Sequence, residues 1–283
     1  MRLLVIGNAA VDRCYRVDWL PREGESVLAA PATVEPGGKG LNQAVMAART
    51  GAAVTLLAML GSDDAGAMLR RHLRDEGLDG SFLLEHAGPS DESIVLVGSA
   101  GDNLIVTTHA AAASLPPTAA SAAIATLAPG DGLLMQGNLA ERTTIDSLAA
   151  ARARGARTLF NPSPLRPGTA TALSHVDILI ANAAEAAALA DSVVPVTITT
   201  LGAAGARLTT AAGSRLVPAP AVTAVDTTGA GDVLAGVLAG YLTQDNTLEA
   251  ALDLAIRAAS LKVSRAGTAA ALPSAAELRA LRA

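Results

Sequence analysis

The run Asp226-Thr227-Thr228-Gly229-Ala230-Gly231-Asp232 follows an extended stretch, residues 215–225, and opens an amphipathic helical one, residues 230–242. Gly229 and Gly231 let the backbone turn tightly, so that consecutive N–H groups can point into one concavity. The helix behind them adds the positive end of its dipole. Such a turn suits an anion, above all the charge that develops on a transferring phosphoryl group. Asp232, within the first helical turn, can accept a proton from a hydroxyl. Taken alone, the run reads equally well as a glycine-rich turn whose acid marks a helix start.

Around this turn, short apolar runs alternate with alanine- and leucine-rich helical stretches. The spacing predicts strands over 3–7, 54–60, 132–136, 158–161, 178–181 and 196–201. It predicts helices over 40–50, 65–76, 117–127, 143–155, 183–190, 230–242 and 248–264. Strands apolar on both faces, each followed by a helix, imply an α/β fold with a mostly parallel sheet covered on both sides. Two regions break the rhythm. Residues 13–34 read as two extended segments around Pro21-Arg22-Glu23-Gly24, with Tyr15, Val17 and Trp19 at strand period. Residues 92–98 and 104–109 form a second pair around the turn Ser99-Ala100-Gly101-Asp102-Asn103. Four strands without helices predict a small antiparallel sheet outside the main one, acting as a lid or a dimer surface. No internal repeat or linker interrupts residues 1–283, which read as one domain.

Composition narrows the functional classes. The chain is 51% hydrophobic and 17% charged, with 2% aromatic residues and a formal net charge of −5. It therefore has a globular core but no aromatic platform for bases, and no electrostatic reason to seek nucleic acid or an anionic membrane. The one cysteine, Cys14, cannot form an intramolecular disulfide and reads as a small packed residue, which fits a reducing cytoplasm. The apolar start, residues 3–6, is broken by Asn8 and Asp12 and reads as a buried first strand rather than a leader. No apolar stretch approaches the roughly 18 residues that a membrane span requires.

A second glycine run, Glu35-Pro36-Gly37-Gly38-Lys39-Gly40-Leu41-Asn42-Gln43-Ala44, lets a ligand approach the backbone closely, and Asn42 offers both a donor and an acceptor. It is not a Walker A loop, because Gly40 rather than Ser or Thr follows Lys39. Together, the runs 35–51 and 225–242 resemble the two signatures of the ribokinase-like (PfkB) family of carbohydrate kinases. Three further segments resemble family landmarks in the same order: Asn161-Pro162-Ser163-Pro164, Asn182-Ala183-Ala184-Glu185 and Thr200-Leu201-Gly202-Ala203-Ala204-Gly205.

The resemblance implies a Rossmann-like αβα sandwich with a β-sheet lid, formed by about residues 13–34 and 92–109, over a sugar site. Its expected reaction is ATP-dependent phosphorylation of a sugar hydroxyl. Asp12, Gly37, Gly38, Lys39, Asn42 and Asn138 would line the sugar. Gly229, Ala230 and Gly231 would form the anion hole, with Asp232 as base. Asn182, Thr200, Gly202 and Gly205 would serve the nucleotide, and Glu185 would hold Mg²⁺ through water. A potassium ion would be held mainly by carbonyls of Asp226, Thr228, Lys262, Arg265 and Gly267, although Ala271 stands where ribokinases have a serine. The implied partners are a sugar and ATP, with a second copy docked through the lid.

Within the family the ribokinases look closest, but Ala10 replaces an asparagine and Asn138 a glutamate that contact the sugar there. Between Glu185 and Val196 the chain also lacks room for a further helix. Tyr15 and Trp19 could wall a nucleobase, which keeps a nucleoside acceptor in view. A catalytically silent sugar-binding protein on the same fold is the third reading. Arg13, Arg16 and Lys39 are the cations expected near the sugar site, too few to favour a phosphosugar.

Overall fold

Leu3, Leu4, Val5 and Ile6 form an unbroken apolar run, and β1 (Arg2–Ile6) is buried from its second residue onward. A strand with no exposed face belongs in the middle of a covered parallel sheet. β1 runs parallel to two neighbours, both from later in the chain and one of them about 130 residues away. The computed structural model describes residues 1–78 and 82–282. In chain order the strands are β1, β2 (Ala10–Arg16), β3 (Thr33–Gly37), β4 (Ala53–Gly61), β5 (Leu83–His86), β6 (Asp91–Val97) and β7 (Asn103–Thr107), then β8 (Gly132–Gln136), β9 (Arg157–Asn161), β10 (Ile178–Asn182), β11 (Val196–Thr200), β12 (Ala206–Thr210) and β13 (Gly213–Val217).

The large sheet has the order β13-β12-β11-β10-β9-β8-β1-β4-β5. All its pairs are parallel except β11/β12 and β12/β13. Side chains alternate across it: Leu3 and Val5 enter one core, Leu4 and Ile6 the other. Helices Lys39–Arg49, Asp64–Asp75, Ala230–Leu242 and Leu248–Val263 cover the first face. Pro117–Ile124 and Glu141–Ala153 cover the second.

Most expected elements lie within a few residues of their observed bounds. The β12/β13 hairpin was not expected: residues 215–225 read as one extended stretch, yet the strand ends at Val217, just before Pro218 and Pro220. A proline has no N–H to give to a ladder, so the chain leaves the sheet there. The small sheet, ordered β3-β2-β6-β7, contains two antiparallel pairs joined by a parallel central pair, β2/β6. β2 ends at Arg16, and Trp19 lies beyond it, 55% exposed.

Two helices meet unusually closely. A Cβ on Gly236 would collide with the Gln43 carbonyl and come within 2.8 Å of Met46 Cβ; one on Gly240 would lie 2.9 Å from the Ala47 carbonyl oxygen. Only glycine at these positions lets helix Ala230–Leu242 seat against helix Lys39–Arg49. Each helix begins with one of the two glycine runs, so this contact brings the two runs together.

Candidate active site

Parallel strands deliver their carboxyl ends to one edge of the sheet, where such folds bind ligands. Asn8 follows β1, Asn138 follows β8, and Asn161, Asn182 and Thr200 end β9, β10 and β11. Two cavities open along this edge. One, of about 560 Å³, is lined by Asp12, Gly38, Lys39, Asn42 and Asn138, by Thr228, Gly229, Gly231 and Asp232, and by Ser93, Val95, Ile105 and Thr107 of the small sheet. The other, of about 490 Å³, is lined by Thr200, Gly202, Gly205, Ala230 and Gly231, with Leu234, Ile256, Ala259 and Val263 giving it an apolar wall. Gly231 lines both.

Asp232 is 6% exposed and sits in the first turn of its helix. Its Oδ1 accepts from Gln43 Nε2 at 2.9 Å and lies 4.0 Å from Lys39 Nζ. Gln43 is held in turn: its Nε2 also donates to Asn161 Oδ1 at 3.1 Å, its Oε1 accepts from Gln136 Nε2 at 2.7 Å, and Asn161 Nδ2 donates to the Ile180 carbonyl at 2.8 Å. Among the described residues no protein donor reaches Asp232 Oδ2, so that oxygen is available to a ligand.

Gly229 caps this helix with φ +77° and no side-chain bond. The Ala230 N–H turns back to the Thr227 carbonyl at 3.2 Å. The N–H groups of Gly229, Gly231 and Asp232 have no partner among the described residues, so of the three expected donors Gly229 and Gly231 are open to an anion, Ala230 is engaged, and Asp232 adds a further one. A Cβ on Gly231 would meet nothing within 4 Å, which leaves the approach to these donors open.

In the larger cavity, Asn42 Oδ1 and Asn138 Oδ1 are buried acceptors without a protein donor. A buried acceptor left unpaired costs free energy, and a hydroxyl-rich ligand supplies the missing donors. Asp12 is 6% exposed. Burial pushes its carboxyl up to about 7, nearby Asp232 and Glu35 add to the rise, and the Ser93 hydroxyl and Lys39 oppose it. Gly37 does not line the cavity; a side chain there would run into the Asp12 carboxylate, so this glycine makes room for Asp12. Gly38 has φ +91°, and a Cβ on it would lie 2.8 Å from the Ala10 nitrogen.

Other expected residues lie apart from the cavity walls. Asn182 and Glu185 line neither cavity and form a capping box, with Glu185 Oε2 accepting from the Asn182 N–H at 2.9 Å and Asn182 Oδ1 from the Glu185 N–H at 2.8 Å. Arg265 is paired with Glu277. Lys262 is fully buried and turns its ammonium, not a carbonyl, towards Asp226. Arg13 pairs with Glu92 and Arg16 lies 3.7 Å from Asp226, so neither serves the cavity, and Tyr15 and Trp19 do not line it. Ala10 is buried beside Gly37.

Several lining residues carry no local sequence signal. Asn8 lines the cavity and accepts from the Gly40 N–H at 3.2 Å. Arg166 and His109 line it too, adding cationic and titratable groups that no motif marked.

Residues 1–275 match the description "pfkB family carbohydrate kinase". The chain is 32% identical to the ribokinase of Bacillus subtilis over 290 residues, covering 99% of this chain and 98% of that protein. It is 29% identical to the deoxyribokinase of Salmonella typhi, covering 97% and 96%. Its fold is similar to that of the ribokinase of Cryptococcus neoformans var. grubii solved in complex with ADP, with a TM-score of 0.88 at 27% identity over 99% and 98% of the two chains. With two glycine runs clasped at one sheet edge and a match along nearly its whole length, this chain belongs to the pfkB family of carbohydrate kinases.

Proposed function

We propose that the protein transfers the γ-phosphoryl group of ATP to a hydroxyl of ribose or a closely related sugar. One observation carries this reading: Gly231 lines both the polar cavity and the apolar one, and Asp232 follows it directly. A phosphoryl group at the junction would meet the free N–H groups of Gly231 and Asp232, while the attacking hydroxyl would lie beside Asp232 Oδ2. Electrostatic stabilisation of the transferring group and proton removal are what such a transfer asks of a protein.

The roles follow from that geometry. The polar cavity takes the sugar: Asp12 and the two orphaned amide oxygens, of Asn42 and Asn138, accept from its hydroxyls. The apolar slot beside Thr200, Gly202 and Gly205 takes the adenine, a flat and weakly polar ring. Lys39, near Asp232, offsets charge as the hydroxyl is deprotonated. Mg²⁺ would arrive bound to ATP. Phosphate oxygens and water would fill most of its shell, so one carboxylate would suffice, and Glu185, fixed by its capping box in the first turn of helix Ala183–Ala188 just after β10, would serve through water. Among the described residues no cluster of three acidic, histidine or cysteine ligands offers an all-protein site.

Two of the five carbonyls expected to hold a potassium ion are already engaged. The Asp226 carbonyl accepts from Lys262 Nζ at 3.0 Å, and the Lys262 carbonyl accepts from the Arg265 N–H at 3.0 Å. The Asp226 carboxylate accepts from the Thr228 and Gly267 N–H groups at 2.9 and 3.1 Å.

The walls of the sugar cavity favour a sugar over a nucleoside, since neither expected aromatic wall faces it. The small sheet, which forms one of those walls, acts as the lid of what we read as a single kinase domain. Its strands also carry exposed Val34, Ile94, Leu104 and Val106. We read these as the surface that docks a second copy. No helix among the described residues is long and apolar enough to cross a membrane, and with Cys14 as its one thiol the protein suits the cytoplasm.

Three outcomes are expected. With ATP and Mg²⁺, ADP release should appear with ribose or deoxyribose in a panel that also holds nucleosides and, because of Arg166, sugar phosphates; release with nucleosides alone would reject the sugar reading. KM for the sugar should rise as the pH falls below about 7, because protonation of Asp12 removes acceptor capacity, and Asp12→Asn should flatten that profile while raising KM at high pH. In sedimentation at micromolar concentration the protein should run as a dimer, and a monomer would reject the lid contact.

A further inference from the structure

Lys262 has no exposed surface, an expensive position for an ammonium group. It stands in the last turn of helix Leu248–Val263, where the helix dipole favours a positive charge. From there Nζ donates to the Asp226 carbonyl at 3.0 Å and lies 3.8 Å from Asp226 Oδ1. A Cβ on Gly229 would lie 4.0 Å from Lys262 Cε, so the side chain runs directly beneath the anion-receiving turn. The Asp226 carboxylate, 2% exposed, also receives the Thr228 and Gly267 N–H groups and lies 3.7 Å from Arg16. Asp226 thus joins three segments of chain, and Lys262 is the buried cation that balances it.

We propose that the Lys262 ammonium is a built-in monovalent cation. It fixes the turn from Asp226 to Gly229 and places positive charge behind the Gly231 and Asp232 N–H groups, so that phosphoryl transfer proceeds without potassium. The inference rests on the kinase reading of that turn. Burial lowers the Lys262 pKa and the adjacent Asp226 opposes the fall. The two close contacts that Nζ makes are both to oxygens of Asp226, which favour the charged form; Cys14 and Glu35 add to that, and Arg16 opposes it. A soluble cation brought to the same carbonyl would have to displace Nζ and lie against both Lys262 and Arg16, and like charges at such range repel. Lys262 touches no reacting atom; it is a positioning residue with an electrostatic effect.

The test compares K⁺, Na⁺ and tetramethylammonium at matched ionic strength. Wild-type kcat should be the same in all three. The Lys262→Ala variant should lose kcat by about 10²–10³-fold in tetramethylammonium, the usual loss when stabilisation of a developing anion is removed. K⁺ should restore part of that loss, because deleting the side chain frees the Asp226 carbonyl. A purely structural lysine would give a variant that K⁺ cannot rescue. Thermal unfolding supplies a second readout: K⁺ should raise Tm of Lys262→Ala but not of wild type. If the alanine variant does not fold, Lys262→Met fills the space without the charge: loss of the charge should lower its kcat by the same factor, whereas a lysine needed only for packing would leave its kcat near that of wild type. Wild-type turnover that requires K⁺ would overturn the proposal, as would a Lys262 variant with wild-type kcat in tetramethylammonium. Should wild type turn over no acceptor in any of the three salts, the kinase reading fails instead. The internal cation would then be decided by whether K⁺ specifically raises the wild-type Tm.

Discussion

The hydrogen bond from Gln43 Nε2 to Asp232 Oδ1 is the contact on which the rest of the site depends. It crosses between two helices that approach closely only because Gly236 and Gly240 lack side chains. Behind it, Gln136 and Asn161 fix the Gln43 amide, and Asn161 is anchored to the Ile180 carbonyl. The carboxylate is therefore oriented by a chain of amides that starts on the backbone of the central sheet. A hydrogen bond to a charged group contributes roughly 1.5–3 kcal/mol, enough to select one rotamer of a buried carboxylate. With Oδ1 occupied, Oδ2 is left for chemistry.

The two cavities differ as their ligands require. The first offers unpaired amide oxygens and a buried carboxylate, which suit hydroxyl groups. The second offers an apolar slot. They meet at Gly231, where an added side chain would enter open space, and the helix behind it presents its unpaired N–H groups there. Positive charge gathers around this junction from three sources: the helix dipole, Lys39 in front and Lys262 beneath.

Much of this was legible in the sequence, and the reason is locality. Glycine runs that need a tight turn, with an acid or an amide just after them, leave a short-range signature, so Asp232 and Asn42 could be singled out. Strand and helix periods gave the α/β alternation for the same reason. What escaped depends on distant residues meeting. Gln43 finds its three partners 93, 118 and 189 positions away, and nothing in its own neighbourhood marks it. The parallel β2/β6 pairing, which joins two hairpin-like segments, is likewise invisible in either segment alone. Lys262 was singled out as a carbonyl donor because the sequence names a residue but not the atom that turns inward. Arg13 and Arg16 looked like substrate cations until their partners, Glu92 and Asp226, were in view.

The central claim is that Asp232 removes the proton of the attacking hydroxyl while the N–H groups at its helix start hold the phosphoryl charge. Replacing Asp232 by Asn keeps the shape and an acceptor oxygen for Gln43 but removes the base. Single-turnover phosphoryl transfer by this variant, measured alongside its Kd for ATP, tests the claim most directly. Transfer should fall by about 10²–10⁴-fold, the usual worth of a positioned base, with ATP binding unchanged. Transfer at close to the wild-type rate would contradict the account.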